Sequence, residues 1–410
     1  MSNICDEQPR AAAKSGSAEG IGQERPLQGL TVLEIGHSVA APYTGMILGE
    51  LGAEVIKLEN PATGGDYARG WGPPFVDDDA VAFHAFNRGK KGIALDISEP
   101  AGAEQVRRLV LERCDAVVHN FKFAALDRYG LGGEALTRLK PQLVYCNLGA
   151  FGAVGPLRYE PGYDPLIQAF AGLMSLQGEV GGRPNRIGVS IIDMAAGMWA
   201  ALGILAALRR ASLTGHGGIV DTSLFETGLA WMAAPIASYL ASGQLPERTG
   251  SGIAHIAPYQ AFATADGHLM VLAGNDSLFR RLVDVMGLPD LARDSRFTSN
   301  RDRVLNRDSL IPLLEATFRT REAAAWAEAL RKVGVPCGPI QSVDAVVDHP
   351  QTRALDILQT SADGRLELVG LPVSLDGKRP GFTTDPPRLG EHNALFGLPP
   401  LSGTSPERSR

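Results

Sequence analysis

LTVLEIGHSVAAPYTGMILGELGAEVIKLENP, residues 30–61, decides the fold. LTVLEIG (30–36) has the apolar, β-branched make-up of a strand. APYTGMILGELGA (41–53) follows as a helix, and EVIKLE (54–59) as a second strand. A strand–helix–strand of this length is the crossover unit of a parallel sheet. The rhythm repeats downstream. GIALDI (92–97), DAVVHNF (115–121) and QLVYCNLGAFG (142–152) read as further strands, with helical PAGAEQVRRLVLERC (100–114) between the first two. The expected class is α/β with a doubly wound parallel sheet.

After residue 185 the pattern changes. A long Ala/Gly-rich helix (191–211) leads through TGHGGIVDTSL (214–224), a turn and a strand, into a helix over FETGLAWMAAPIASYLASG (225–243). HIAPYQAFATADGHLMVLAGN (255–275) holds two strands around an Asp266–Gly267 hairpin turn. Helices fill most of 276–333, and LELVG (366–370) is strand-like before a Pro-rich end.

At 410 residues the chain exceeds one ordinary domain. Its 44% hydrophobic and 20% charged residues are a globular balance, and the net charge of −6, with no basic block, gives no reason to expect nucleic acid. Cys5, Cys114, Cys146 and Cys337 are scattered, without CxxC or nearby His, so they read as free thiols of a reducing, cytoplasmic compartment and not as metal ligands. The polar first 25 residues lack the apolar core of a signal peptide and read as a disordered tail, 1–27 in all. AAGMWAALGILAAL (195–208) is the most apolar stretch, but it is shorter than the roughly 20 residues of a membrane span. Asp193 precedes it and Arg209–Arg210 follow, so a buried helix is expected and no membrane contact.

The usual catalytic signatures are missing. Strand one ends EIGHSVAAPYTG, without the GxGxxG of nicotinamide-binding folds, and Glu59 then reads as a solvated strand end. There is no Walker loop, no GxSxG elbow, no HExxH and no Cys/His cluster, so no metal is expected. One acid stands out in EPGYDPLIQAFAGL (160–173), where Asp164–Pro165 begins a helical run. Asp is a favoured N-cap and Pro a favoured first helical residue, so Asp164 alone reads as a cap. A carboxylate there is also held ionised by the helix dipole, as a carboxylate nucleophile must be.

Eight local phrases, in order, carry a resemblance: the opening stretch, GDYARGWGPPF (65–75), NRGKKGIALDI (87–97), DAVVHNFKFAALDRYGLG (115–132), GYDPLIQAFAGLM (162–174), GILAAL (203–208) with TGHGGIVDTSLFE (214–226), GVPCGPI (334–340) and LGEHN (389–393). From about residue 28 to 395 the chain resembles the class III CoA transferases, the family of formyl-CoA and carnitine CoA transferases. The resemblance implies a large Rossmann-like domain built from both chain ends (28–220 and 336–410), a smaller inserted α+β domain (221–335), and an interlocked homodimer. It implies coenzyme A as substrate thioester, with Asp164 as the nucleophile that forms an aspartyl-CoA intermediate.

By position it places CoA against Val39, Ala40, Asn60, Leu95, Ser98, Asn120, Phe121, Lys122 and Arg128, with Lys122 or Arg128 suited to a phosphate. Val39 and Asn60 stand where formyl-CoA transferases carry Gln and Arg, and GAFG (149–152) replaces a Lys-Gly-Tyr phrase. RGWGPPF, GYD, PYQAF and AGN look most like the succinyl-CoA-dependent transferases of glutarate, hydroxymethylglutarate and itaconate. His37, Arg69, Arg248 and His255 are then candidates for the acceptor's distal carboxylate, Arg69 first. TGSGIAH (249–255) is a candidate lid or source of oxyanion donors. Two other readings stay open. The α-methylacyl-CoA racemases of the same superfamily carry a His where Tyr163 stands and a second acid where Asp193 stands, here read as a first-turn helix acid. A non-catalytic CoA-binding protein is the other reading, against which the intact Asp164 speaks.

Overall fold

A computed structural model of the protein describes residues 25–401. Cys5 and residues 1–24 of the expected tail lie outside the described residues. In chain order the first unit runs β1 (Thr31–Ile35), α1 (Ala40–Glu50), β2 (Glu54–Glu59), a two-residue ribbon β3 (Phe75–Val76) and β4 (Asp79–Ala80), α2 (Val81–Asn87), β5 (Lys91–Ala94), α3 (Pro100–Arg113), β6 (Ala116–His119), α4 (Gly133–Leu139) and β7 (Val144–Gly149). Then come α5 (Asp164–Phe170), α6 (Leu173–Leu176), α7 (Ile191–Thr214), β8 (Gly218–Ser223), α8 (Leu224–Trp231) and α9 (Ala233–Ser242). The sheet order is β5-β2-β1-β6-β7-β8, and every pairing is parallel. Counting only this sheet's strands, that is the doubly wound 3-2-1-4-5-6 order.

Both faces of the sheet are covered, as a parallel sheet requires. Val32, Val55, Val118 and Val144 pack with α1 and α7 on one side. Their chain neighbours Leu33, Ile56, Val117 and Tyr145 pack with α3 and α4 on the other. The period-2 alternation of strand side chains puts consecutive residues into separate cores.

A second core forms around a three-stranded antiparallel sheet. Its strands are β9 (Tyr259–Ala263), β10 (His268–Leu272) and β11 (Cys337–Pro339), flanked by α10 (Asp276–Val285), α11 (Asn300–Leu305), α12 (Arg307–Phe318) and α13 (Ala323–Lys332). The expected boundaries shift slightly. β8 belongs to the large sheet through Ser223, so residue 221 falls inside a strand. The chain leaves the small sheet after Pro339, not at residue 335. The end of the chain then returns to the large unit, where the Asn393 side chain accepts from Ala94 N at 2.8 Å and His392 Nδ1 from Gly92 N at 3.2 Å.

Two helices depart from expectation. The run 225–243 is two helices, broken at Met232 by a residue near the bridge region of the backbone map (φ −87°, ψ 10°). Helix α7 extends to Thr214, where Gly215 takes the left-handed conformation (φ 75°). It is only half buried. Ala196, Ala200 and Ile204 face the core, whereas Met198, Trp199 and Leu202 are exposed. Among the described residues α7 is the one helix long and apolar enough to cross a membrane, but it packs on α1, β7 and β8.

Candidate active site

The strand order reverses beside β1, whose chain continues to β2 on one flank while β6 lies on the other. In open α/β sheets the crevice outside the carboxyl ends at this point is the usual ligand site. Two adjoining cavities of about 240 and 470 Å³ open there and share His37, Tyr67, Phe121, Ala125 and Arg128. The smaller is lined by Asn60, Leu95 and Ser98, beyond β2 and β5. The larger is lined by Val39, Ala40, Asn120 and Lys122, and extends to Gly162, Tyr163 and Asp193. All nine residues expected against CoA by position therefore line one continuous cleft.

Some of these side chains build the cleft and do not reach into it. Asn120 Oδ1 accepts from His37 N at 3.1 Å, and Asn120 Nδ2 donates to His37 O at 2.8 Å. The loops after β1 and β6 are thereby joined. Asn60 caps the turn that follows β2, accepting from Ala62 N at 2.8 Å. Ser38 sits at φ 68°, a conformation costly for a residue with a Cβ, and its N–H is held by Asp66 Oδ1 at 2.8 Å.

Asp66 belongs to a buried ionic ladder. Lys57 Nζ lies 2.8 Å from Asp66 and 2.9 Å from Glu34, all with side chains 0% exposed. Burial opposes the charge on Lys57, but Glu34 and Asp66 outweigh it and hold the ammonium above its usual range. Lys90 Nζ contacts Glu34 Oε2 at 2.7 Å, an ion-pair contact without hydrogen-bond geometry. Gly45 of α1 makes room for this carboxylate, since a Cβ there would lie 2.1 Å from Glu34 Oε2.

The same ladder corrects two expectations. Glu59 is not a solvated strand end; it is 4% exposed, and both its oxygens accept from Arg69, at 2.8 and 2.7 Å. Arg69 also pairs with Asp79 at 2.7 Å, donates to Pro387 O at 3.0 Å and lies over the Phe83 ring. Its guanidinium is spent on fixing the GGDYARG turn and is not a free cation for a substrate. Gly65 lets the turn pass, since a Cβ there would meet Glu59 Oε1 at 2.6 Å.

Asp164 is 2% exposed. It is the first residue of α5, with Tyr163 in the N-cap position and no side-chain cap, so it does not cap its own helix. Its carboxylate turns to another helix. Oδ2 accepts from the main-chain N–H of Ile192 at 2.7 Å and of Asp193 at 3.3 Å, in the first turn of α7. Oδ1 accepts from Gln168 Nε2 at 2.6 Å, and Gln168 Oε1 accepts from Ile187 N at 2.8 Å. Asp193, as expected, is a first-turn acid of α7. Burial, and secondarily Asp164, push its carboxyl up to about 7.

The remaining candidates separate. His37 lies between both cavities, edge-on to Tyr67 and Phe121, with its pKa lowered by burial. Arg248 and His255 line neither cavity. Arg248 pins the loop after α6, donating to Ser175 O at 3.2 Å and to Gly182 O. His255 lies in a loop clamped from the small unit. Asn300 Nδ2 donates to His255 O at 2.9 Å, and Arg307 donates to the carbonyls of Ile253, Ala254 and Ile256.

Sequence reasoning missed Arg158, which lines the larger cavity and packs on the rings of Tyr159 and Phe123 without a carboxylate partner among the described residues. Its place six residues before Asp164 was the available signal. It also missed Gln168, one helical turn after Asp164 on the same face. Among the described residues no group of three His, Cys, Asp or Glu is arranged to hold a metal ion.

Comparison with known proteins shows the family. The model of CoA-transferase family III matches residues 27–393. The succinate–glutarate CoA-transferase of Agrobacterium fabrum is 37% identical over 378 residues, covering 90% of this chain and 94% of that protein. The acetyl-CoA:oxalate CoA-transferase of Acetobacter aceti is 36% identical, with 90% and 95% covered. The crystal structure of a CAIB/BAIF family protein from Brucella suis superposes with a TM-score of 0.81 at 39% identity, over 92% of this chain and 99% of that one. The chain belongs to CoA-transferase family III.

Proposed function

We propose that the protein transfers CoA from succinyl-CoA to a short dicarboxylate through an aspartyl-CoA intermediate on Asp164, acting as a homodimer. The observation that carries this reading is a buried carboxylate beside a cleft, held by three neutral N–H donors and, among the described residues, by no cation. A carboxylate tied to lysine would lose its ion pair on acylation, whereas one held by amides stays bound as an ester or thioester carbonyl.

Asp164 attacks the thioester carbonyl, giving a mixed anhydride and CoA thiolate. The thiolate attacks the Asp164 carbonyl carbon and releases the donor acid. The acceptor carboxylate then runs the sequence in reverse. The cleft seats CoA, with Arg128 and Lys122 near its phosphates. With Arg69 engaged elsewhere, Arg158 is the cation we assign to the acceptor's distal carboxylate. The names of the relatives, which include glutarate and oxalate as acids, support a dicarboxylate. The homodimer is supported by apolar side chains left exposed on adjoining helices, among them Leu166, Phe170, Trp199, Trp231 and Leu240.

Intact-protein mass spectrometry after incubation with succinyl-CoA tests the reading. Wild type should gain a CoA-sized adduct, mapped to Asp164 and discharged by hydroxylamine, and Asp164→Ala should gain none. Bound CoA ester without any adduct would leave a non-catalytic binding protein.

A further inference from the structure

We propose that the first turn of α7 is the oxyanion site of the transfer, with the main-chain N–H groups of Ile192 and Asp193 as its donors. The inference rests on the reading of Asp164 as the nucleophile.

The two oxygens of Asp164 have unlike surroundings. Oδ2 is held by two main-chain amides, at 2.7 and 3.3 Å, which start a helix of 24 residues. Amides in that position have no acceptor within their own helix, and the dipole favours negative charge beside them. Oδ1 is held by one side chain, Gln168 at 2.6 Å. A side-chain amide can turn aside, but the amides of a packed helix cannot. Oδ1 is therefore the oxygen that bonds to the acyl group, and Oδ2 the one that stays.

The consequence falls at the second step. The thiolate sulfur adds to Cγ of the mixed anhydride, forming the C–S bond, and the carbonyl electron pair moves onto Oδ2. Collapse restores the carbonyl and breaks the Cγ–Oδ1 bond, so the donor acid leaves with Oδ1. No proton moves. Full negative charge develops only on Oδ2, where two donors already stand, and they need no reorganisation. Asp193 is compatible with the assignment below neutrality, since burial and the Asp164 charge push its carboxyl up to about 7 and keep it mostly neutral there.

The test uses two substitutions at one position. Ile192 is the second residue of α7, where proline is tolerated. Ile192→Pro deletes the N–H; Ile192→Ala keeps it and loses the same buried side chain. With succinyl-CoA and glutarate as probes, the proline variant should fall about 10²–10³-fold below the alanine variant in kcat, with KM changed less than about threefold. A second reading needs no variant. The carbonyl stretch of the wild-type aspartyl-CoA adduct should lie at lower frequency than that of a free aspartyl thioester, as two hydrogen bonds require. Equal kcat in the two variants, or an unshifted carbonyl, would overturn the proposal while the Asp164 adduct still stood. Failure of wild type to form the adduct would instead remove the reading beneath it.

Discussion

Two sets of buried carboxylates in the large unit are treated in opposite ways. Glu34 and Asp66 are neutralised by lysines in direct contact. Asp164, equally hidden, is hydrogen-bonded among the described residues by amides alone. The first set keeps its charge throughout the life of the protein, so a cation can be its permanent partner. Asp164 must lose its charge and recover it, so its partners have to serve both states. A carboxylate's partners therefore separate a group that shapes the cleft from one that reacts in it.

The comparison breaks most visibly at Lys57. Lys57→Met leaves buried Asp66 without a lysine and Glu34 with Lys90 alone, and should cost about 3–5 kcal/mol in stability by urea unfolding. A loss below about 1 kcal/mol would mean that the ladder reorganises and is not a fixed frame. At Asp164 the matching change is Gln168→Met, which removes the donor to Oδ1 and the acceptor for Ile187 N. We expect kcat to fall about 10- to 100-fold, with KM for succinyl-CoA nearly unchanged, because the nucleophile loses its aim and the cleft does not. If KM rose as much as kcat fell, Gln168 would belong with the frame.

The smallest effect is expected at Asp193. Its folded pKa, about 7, is raised from the usual 3.8, so its contribution to stability is full below pH 4 and is lost as pH rises through 7. Asp193→Asn should therefore gain about 1–2 kcal/mol over wild type at pH 8 and little at pH 4, by urea midpoints at both, after discounting for residual solvent. Above pH 7 the ionised acid also sets a second negative charge beside Asp164. The wild-type rate should fall there, and the asparagine variant should lose that fall. His37, Lys122, Arg128, Arg158, Glu160 and Tyr163 line the same cavity, so a fall that persists in Asp193→Asn belongs to one of them.

The parallel sheet was legible because its strands are apolar runs of the right length between helical periods. The break at Met232 was not, because neither Gly nor Pro marks it. The ladder was hidden for a different reason. Glu34 in TVLEI and Lys57 in EVIKLE have the alternation of a half-solvated strand, and only the packed helices show that both faces are buried. Glu59 and Arg69 were misread together, since ten residues of turn conceal that they meet. Asp164 could be found through the phrases around it, but its partnership with α7 joins residues 28 and 29 positions apart, with no local pattern to announce it.

The fastening of the large unit by residues 387–393 has a consequence in time. Pro387 O anchors Arg69 across 318 residues, and Asn393 completes the edge of β5 across 299. A chain still on the ribosome can form most of the sheet, but it lacks these fastenings until residues 387–393 have emerged. Contacts of such separation form late and slowly. Until then the Arg69 turn and the edge of β5 would stand unfastened, and the frame around them would close only once residues 387–393 are made.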